Sequence, residues 1–336
     1  MSRDLATLPK VELHVHLEGS VAAETAVALA TAHGEDPGRV LALEGDAYPA
    51  RFRDFDHFVA TFLATSGLIR TPDDLATVAA AFARGQAAQH VRWTEATFTI
   101  LTLVRQGFDP REAFRAVADG FAEVPDARIG LIIDSIRDLG IEASRETVRL
   151  VEEHGDEAPI VGLGLTGHEG VRPARDFAHL RAAATRLDLG LTVHAGESGG
   201  PEEVRAALDD LGADRIGHGI ATVEDPELLA RVVRDRVPLE VCPSSNIALS
   251  LVSSLDHHPL VALWEAGANV TISSDDPPFF GTTLTAELAH AERLCALERG
   301  EHAELQRRAA RAAFAPATLK ADLLARIDAW AMGPGL

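Results

Sequence analysis

Eight short apolar runs, each followed by a segment of helical periodicity, constrain what this chain can fold into more than any other feature. Two begin at residues 11 and 91, and the rest are 128–133, 159–165, 189–194, 214–218, 238–242 and 269–274. Nearly continuous apolar strands separated by helices imply a parallel sheet buried on both faces. Eight such units suggest closure into a (β/α)₈ TIM barrel, a fold in which 336 residues form one domain. The reading is therefore a single domain over 1–336, with no linker and no low-complexity segment.

Several stretches stand outside the alternation. Ser20 reads as the cap of a helix running to about His33, with Gly34 ending it. Residues 35–70 interrupt the rhythm, and they carry Phe52, Phe55, Phe58 and Phe62 at helical spacing. Such a series faces a core or forms an apolar lid, and an insertion of this length after the first strand favours an inserted helical lid. Thr71-Pro72-Asp73-Asp74 and Asp109-Pro110 are helix starts, with a cap residue before a proline at the first position. Residues 284–336 read as C-terminal helices covering one end of the barrel.

The net charge of −20 argues against a nucleic-acid partner and offers no basic surface to anionic lipid. Cys242 and Cys295 are the only cysteines, so neither a disulfide framework nor a thiolate zinc finger is available. Met1–Lys10 lack an apolar signal core and no run reaches membrane-spanning length, which points to a cytoplasmic protein.

Polar residues collect at the carboxyl ends of the strand candidates, the face where barrels place their sites. In Val11-Glu-Leu-His-Val-His-Leu-Glu-Gly-Ser20, His14 and His16 alternate with apolar residues and project from one side of a strand. His194 and Glu197 flank a glycine turn, His218 sits between glycines, and Asp275-Asp276 end the last strand. Ten further histidines, among them His33, His57, His154 and His302, read as surface or capping residues. Three imidazoles and one carboxylate suit a catalytic zinc with room for water. Zinc lowers the pKa of such a water to about 7. A second ion in barrels of this kind commonly needs a bridging lysine on a strand, and neither Lys10 nor Lys320 is so placed. One Zn²⁺ per chain is expected.

His-Val-His-Leu-Glu-Gly, His-Ala-Gly-Glu, Arg-Ile-Gly-His-Gly, Val-Cys-Pro-Ser-Ser-Asn and Ser-Ser-Asp-Asp-Pro-Pro-Phe-Phe-Gly occur in that order. Together they resemble the adenosine deaminase family, from Leu8 to about Arg293. The resemblance implies a metal-dependent barrel that replaces the 6-amino group of a purine with oxygen and releases ammonia. It further implies that His14, His16, His194 and Asp275 hold zinc, and that Glu197 is a protonated acid for ring N1. By the same resemblance His218 would orient the attacking water and help deprotonate it, with Asp275 sharing that work. Asp276 would bond N7, and Gly167 would offer its N–H to N3.

Glu18 stands where adenosine-specific members usually carry the aspartate that holds the ribose 5′-hydroxyl. The segment from Gly162 to Glu169 also departs from the family's usual sequence, partly toward its adenine deaminase branch. The expected partner is a small 6-aminopurine nucleoside, adenosine or a 5′-substituted adenosine, with aminodeoxyfutalosine and adenine as alternatives. A barrel amidohydrolase of another amine and a silent purine-binding protein are the rival classes. The nucleic-acid deaminase fold needs Pro-Cys-x-x-Cys, which Cys242-Pro243 does not supply.

Overall fold

A computed structural model of the chain describes residues 3–333. Its strands are β1 (Lys10–His16), β2 (Val91–Phe98), β3 (Ile129–Ile136), β4 (Ile160–Thr166), β5 (Gly190–Ala195), β6 (Arg215–His218), β7 (Pro238–Val241) and β8 (Asn269–Ile272). They pair in sequence order, every neighbour parallel. The expected TIM barrel is the observed one, and expected and observed strand limits agree to within a few residues.

Closure involves the candidate site itself. The His16 N–H donates to the Asp275 carbonyl at 2.9 Å, and the Asp275 N–H donates to the His14 carbonyl at 3.1 Å. The seam between the first and last strands therefore runs through three of the residues that mark the site.

The opposite mouth is plugged from the C-terminal helices Arg299–Ala312 and Ala317–Ala331 and the turn between them. Phe314 fills the space left by two glycines at strand starts, since a Cβ on Gly190 would lie 2.3 Å from its ring and one on Gly162 3.0 Å. Above it, Arg215 is wholly buried, 3.7 Å over that ring, and paired to Glu95 at 2.6 Å and Glu240 at 2.5 Å. Lys10 lies at this end too, its Nζ donating to the carbonyls of Leu8 and Gln89.

Thr71 and Asp74 form the capping box that opens helix Pro72–Ala88, and Asp109 caps Pro110–Ala122. Ser20 does not cap a helix. It closes the 3₁₀ turn Glu18–Ser20, with its Oγ donating to the Leu17 carbonyl, and helix Ala23–Ala32 begins later. The glycine before Ser20 keeps the chain turning tightly past Asp276, which displaces the cap. Within 35–70 the principal element is helix Phe55–Ser66, capped by Asp54. Phe52 and Phe58 pack with Phe279 and Phe280, which follow Asp276 in the chain. Among the described residues no helix is long and apolar enough to cross a membrane.

Candidate active site

Strand direction delivers His14, His16, His194 and His218 to one mouth, where Asp275 meets them. His14 Nε2 and His16 Nε2 lie 3.4 and 3.3 Å from Asp275 Oδ1, and His218 Nε2 lies 3.9 Å from Asp275 Oδ2. Donor atoms of His14, His194, His218 and Asp275 all fall within 4.8 Å of one another, as do those of His16, Asp275 and Asp276. His218 and Asp275 both hold left-handed backbone, at φ of 59° and 63°. That conformation is strained for residues other than glycine, and it aims both side chains inward.

The cluster fits a divalent cation. His14 Nε2 and His194 Nδ1 are buried without a hydrogen-bond partner of normal geometry. Burial works against a charge on His14, yet the Asp275 and Glu240 carboxylates carry its pKa up to about 10. Burial is likewise overcome at His16, which Asp276 and Asp275 raise to about 9. The carboxylates thus call for positive charge at this point. Glu240 Oε2 holds His14 Nδ1 at 3.0 Å, and Arg215 and Thr192 anchor that carboxylate in turn. Such an outer carboxylate fixes the tautomer that presents Nε2 to a metal.

The acids differ sharply. Burial, then the charges of Asp275 and Glu169, hold the Glu197 carboxyl well above the usual carboxylate range. Burial and Asp275 do the same to Asp276. Asp275 itself is held well below that range: burial opposes its charge, and bonds to His14 and His16 outweigh it. Burial and the neighbouring His14 push His218 down to about 3, so its ring is neutral.

A relay fixes the His218 ring. The Leu260 N–H donates to His258 Nδ1 at 3.0 Å, which leaves His258 Nε2 to donate to Asn246 Oδ1 at 3.0 Å. The Asn246 amide nitrogen then faces His218 Nδ1 at 3.4 Å. His218 Nε2 therefore carries the hydrogen and points at Glu197 Oε2, 3.5 Å away. The Glu197 turn is clamped by Glu169, whose carboxylate accepts the N–H groups of Gly196, Glu197 and Ser198 at 2.7 to 3.0 Å.

A cavity of ≈ 290 Å³ opens over these groups, lined by His16, His194, Glu197, His218, Asp275 and Asp276 on one side and Phe55, Phe58 and Phe62 on another. Gly167 lies on its wall at φ 84°, where an added Cβ would meet Asp138 at 2.5 Å. Gly19 is as constrained, since a Cβ there would fall 1.6 Å from Asp276 Oδ1. Glu18 is brought near but sits behind the wall, its Oε1 accepting the Thr99 N–H at 2.9 Å. Burial and then Asp134 raise its pKa to about 7.

Two of the ten histidines taken as ordinary are not: His168 lines the cavity beside Phe55, and His258 is the buried end of the relay. Asp134, Thr166 and Glu240 belong to no motif in the sequence, each lying in a mostly apolar strand. Period two was the available signal, because it turns each of them into the barrel.

Fold and cluster together define a metal-dependent hydrolase built on a (β/α)₈ barrel. A family model described as adenosine deaminase matches residues 9–330, and the chain belongs to that family. It is 40% identical to the aminodeoxyfutalosine deaminase of Streptomyces avermitilis, over 97% of this chain and 92% of that one. It is 33% identical to the adenine deaminase of Mesorhizobium japonicum, over 95% and 98%. The crystal structure of adenine deaminase from Arthrobacter aurescens superimposes with a TM-score of 0.88 at 30% identity, covering 96% of this chain and 99% of that one. The chain is accordingly a deaminase of the adenosine deaminase family.

Proposed function

We propose that this deaminase hydrolyses the 6-amino group of a 6-aminopurine nucleoside, adenosine or a 5′-substituted adenosine, giving the 6-oxo product and ammonia. The observation that carries the reading is that Glu197, Asp275 and Asp276 face one cavity beside the imidazole cluster, with burial and neighbouring charge raising Glu197 and Asp276 and the histidines lowering Asp275. A purine presents acceptors at N1 and N7, and a neutral carboxyl is a donor to either. Few other substrates ask for two such donors flanking an electrophilic carbon.

The metal ligands in this reading are His14, His16, His194 and Asp275, and zinc is the ion that three imidazoles and a carboxylate select by default. Zinc, when bound, supplies Lewis acidity that acidifies the attacking water. Glu197 gives its proton to N1, which makes C6 more electrophilic. His218 donates its Nε2–H to orient the water, and the relay through Asn246 keeps that hydrogen in place. As the water oxygen bonds to C6, its proton passes to Asp275 Oδ2, the carboxylate oxygen turned away from His14 and His16. That proton then goes to the departing amine, the C6–N bond breaks, and the remaining hydroxyl proton returns to Glu197. Asp276 holds N7, the Gly167 N–H serves N3, and the helix Phe55–Ser66 covers the ring from solvent. Glu18, behind the wall, acts on the sugar side through Thr99, whose N–H it holds and which lines the cavity.

Aminodeoxyfutalosine is a 5′-substituted member of the proposed class, and the relative at 40% identity favours it; the adenine deaminases favour the free base. The test is ammonia release by the zinc-loaded protein from adenine, adenosine, methylthioadenosine and aminodeoxyfutalosine. Turnover of at least one is expected. A protein that carries the metal and leaves all four untouched refutes the reading. The relative rates name the substituent, and Glu18→Asp is expected to move preference toward plain adenosine. A cytoplasmic location is part of this reading, supported by the acidic composition and the two free cysteines.

A further inference from the structure

We propose that Asp134 reads the N9 side of the substrate, its Oδ1 accepting a hydrogen bond from a donor carried there, a sugar hydroxyl or the ring N9–H. This inference rests on the aminopurine reading. Apart from the Gly167 N–H after β4, the groups assigned to the reaction come from β1, β5, β6 and β8 and the turns after them. The sector they leave belongs to β2, β3 and β4, whose carboxyl ends bring Thr99, Asp134 and Thr166 to the cavity wall. A purine with C6 over Asp275, N1 at Glu197 and N7 at Asp276 points its N9 position away from β5, β6 and β8, toward that sector.

Asp134 is 2% exposed, and its two oxygens are treated differently. Oδ2 accepts the Thr166 hydroxyl at 2.5 Å, while Oδ1 is buried without a hydrogen bond of normal geometry, and the Thr99 hydroxyl is the other polar side chain near the carboxyl. A buried carboxyl oxygen left unpaired is costly, and such exceptions ask for an explanation. Here the oxygen belongs to a residue on the cavity wall, so a bound molecule can give it a well-formed bond. No lysine or arginine lines the cavity among the described residues. Glu18, immediately behind, adds a second carboxyl whose Oε2 is also unpaired. The sector offers carboxyl oxygens and no cationic side chain, so it favours ligands that bring a donor. Thr166 fixes the rotamer of Asp134, which makes the selection directional.

The test compares kcat/KM for adenine and adenosine with that for 9-methyladenine, which carries neither a sugar hydroxyl nor an N9–H. Where 9-methyladenine is not turned over, its inhibition constant takes the place of kcat/KM. In Asp134→Ala the preference for the donor-bearing compound over 9-methyladenine is expected to fall about tenfold, the scale of one hydrogen bond to a charged or buried acceptor. Asp134→Asn, which keeps the volume, is expected to shift the same ratio in the same direction. A fall confined to adenosine identifies a sugar hydroxyl as the donor, and a fall on adenine identifies N9–H. An unchanged ratio in both variants, whatever happens to the absolute rates, overturns the inference while leaving the aminopurine reading intact. Where wild type acts only on methylthioadenosine or aminodeoxyfutalosine, that nucleoside takes the place of adenosine in the ratio; wild-type protein that turns over none of these compounds overturns both.

Discussion

Glu197 is a buried acid among carboxylates, and the proposed chemistry needs its proton. Glu197→Gln keeps the volume and removes that proton, so kcat is expected to fall by about 10²–10⁴. Metal content, read by elemental analysis, is expected to stay at one per chain; a variant that loses both has lost the site and not merely the acid. The relay behind His218 gives a subtler expectation. His258→Phe fills the same pocket but leaves Asn246 free to rotate, and kcat is expected to drop roughly tenfold with KM little changed, in line with a single buried hydrogen bond. A change in KM alone would show that the relay only shapes the cavity. Residues at this scale were legible in the sequence when they ended a strand within a short motif, as His14, His194 and Asp275 do. His258 and Asp134 were not, because their meaning lies in partners such as Asn246 and Thr166, which no local pattern announces.

Elements set where such groups stand. Helix Leu284–Cys295 carries Glu287, which bonds the Ser244 N–H at 3.1 Å and the Thr282 hydroxyl and so ties the turns after β7 and β8 together. Burial raises its pKa to about 7 from an ordinary 4.5. The native state therefore holds this proton at pH values where the unfolded chain has released it. The stabilisation is complete below the unfolded value and is lost as pH rises through the folded one, at roughly 1.4 kcal/mol per unit in between. Urea unfolding at pH 5 and pH 8 is expected to show wild type losing stability relative to Glu287→Gln. A difference between the two proteins that does not vary with pH would show that Glu287 titrates normally. The helix starts at Thr71 and Asp109 were readable because a cap and a proline act locally. The start assigned to Ser20 failed because a tertiary constraint, the close passage of Gly19 by Asp276, overrides a local preference. Residues 35–70 were readable as an insertion, but their contact with Phe279 and Phe280 joins segments more than 200 positions apart.

The barrel as a whole was the most legible level, since eight apolar runs leave few ways to bury a parallel sheet. Its closure was not readable, for hydrogen bonds between the first and last strands leave no trace in either one's composition. That closure has a consequence for stability. The backbones of His14, His16 and Asp275 form the seam, and their side chains converge on the point where a cation fits. Without a cation, the buried carboxylates there are balanced only by protons on His14 and His16. A metal that binds the folded state alone adds RT ln(1 + [L]/Kd), about 2.7 kcal/mol at a hundredfold excess over Kd. Protein stripped by a chelator is therefore expected to melt several degrees below the zinc-loaded form, and the gap is expected to widen with free zinc concentration. His14→Ala is expected to remove the concentration dependence, because it takes away a ligand at the seam itself. Equal melting temperatures with and without divalent ions would show that the seam holds without help, and that the imidazole cluster is not a high-affinity metal site.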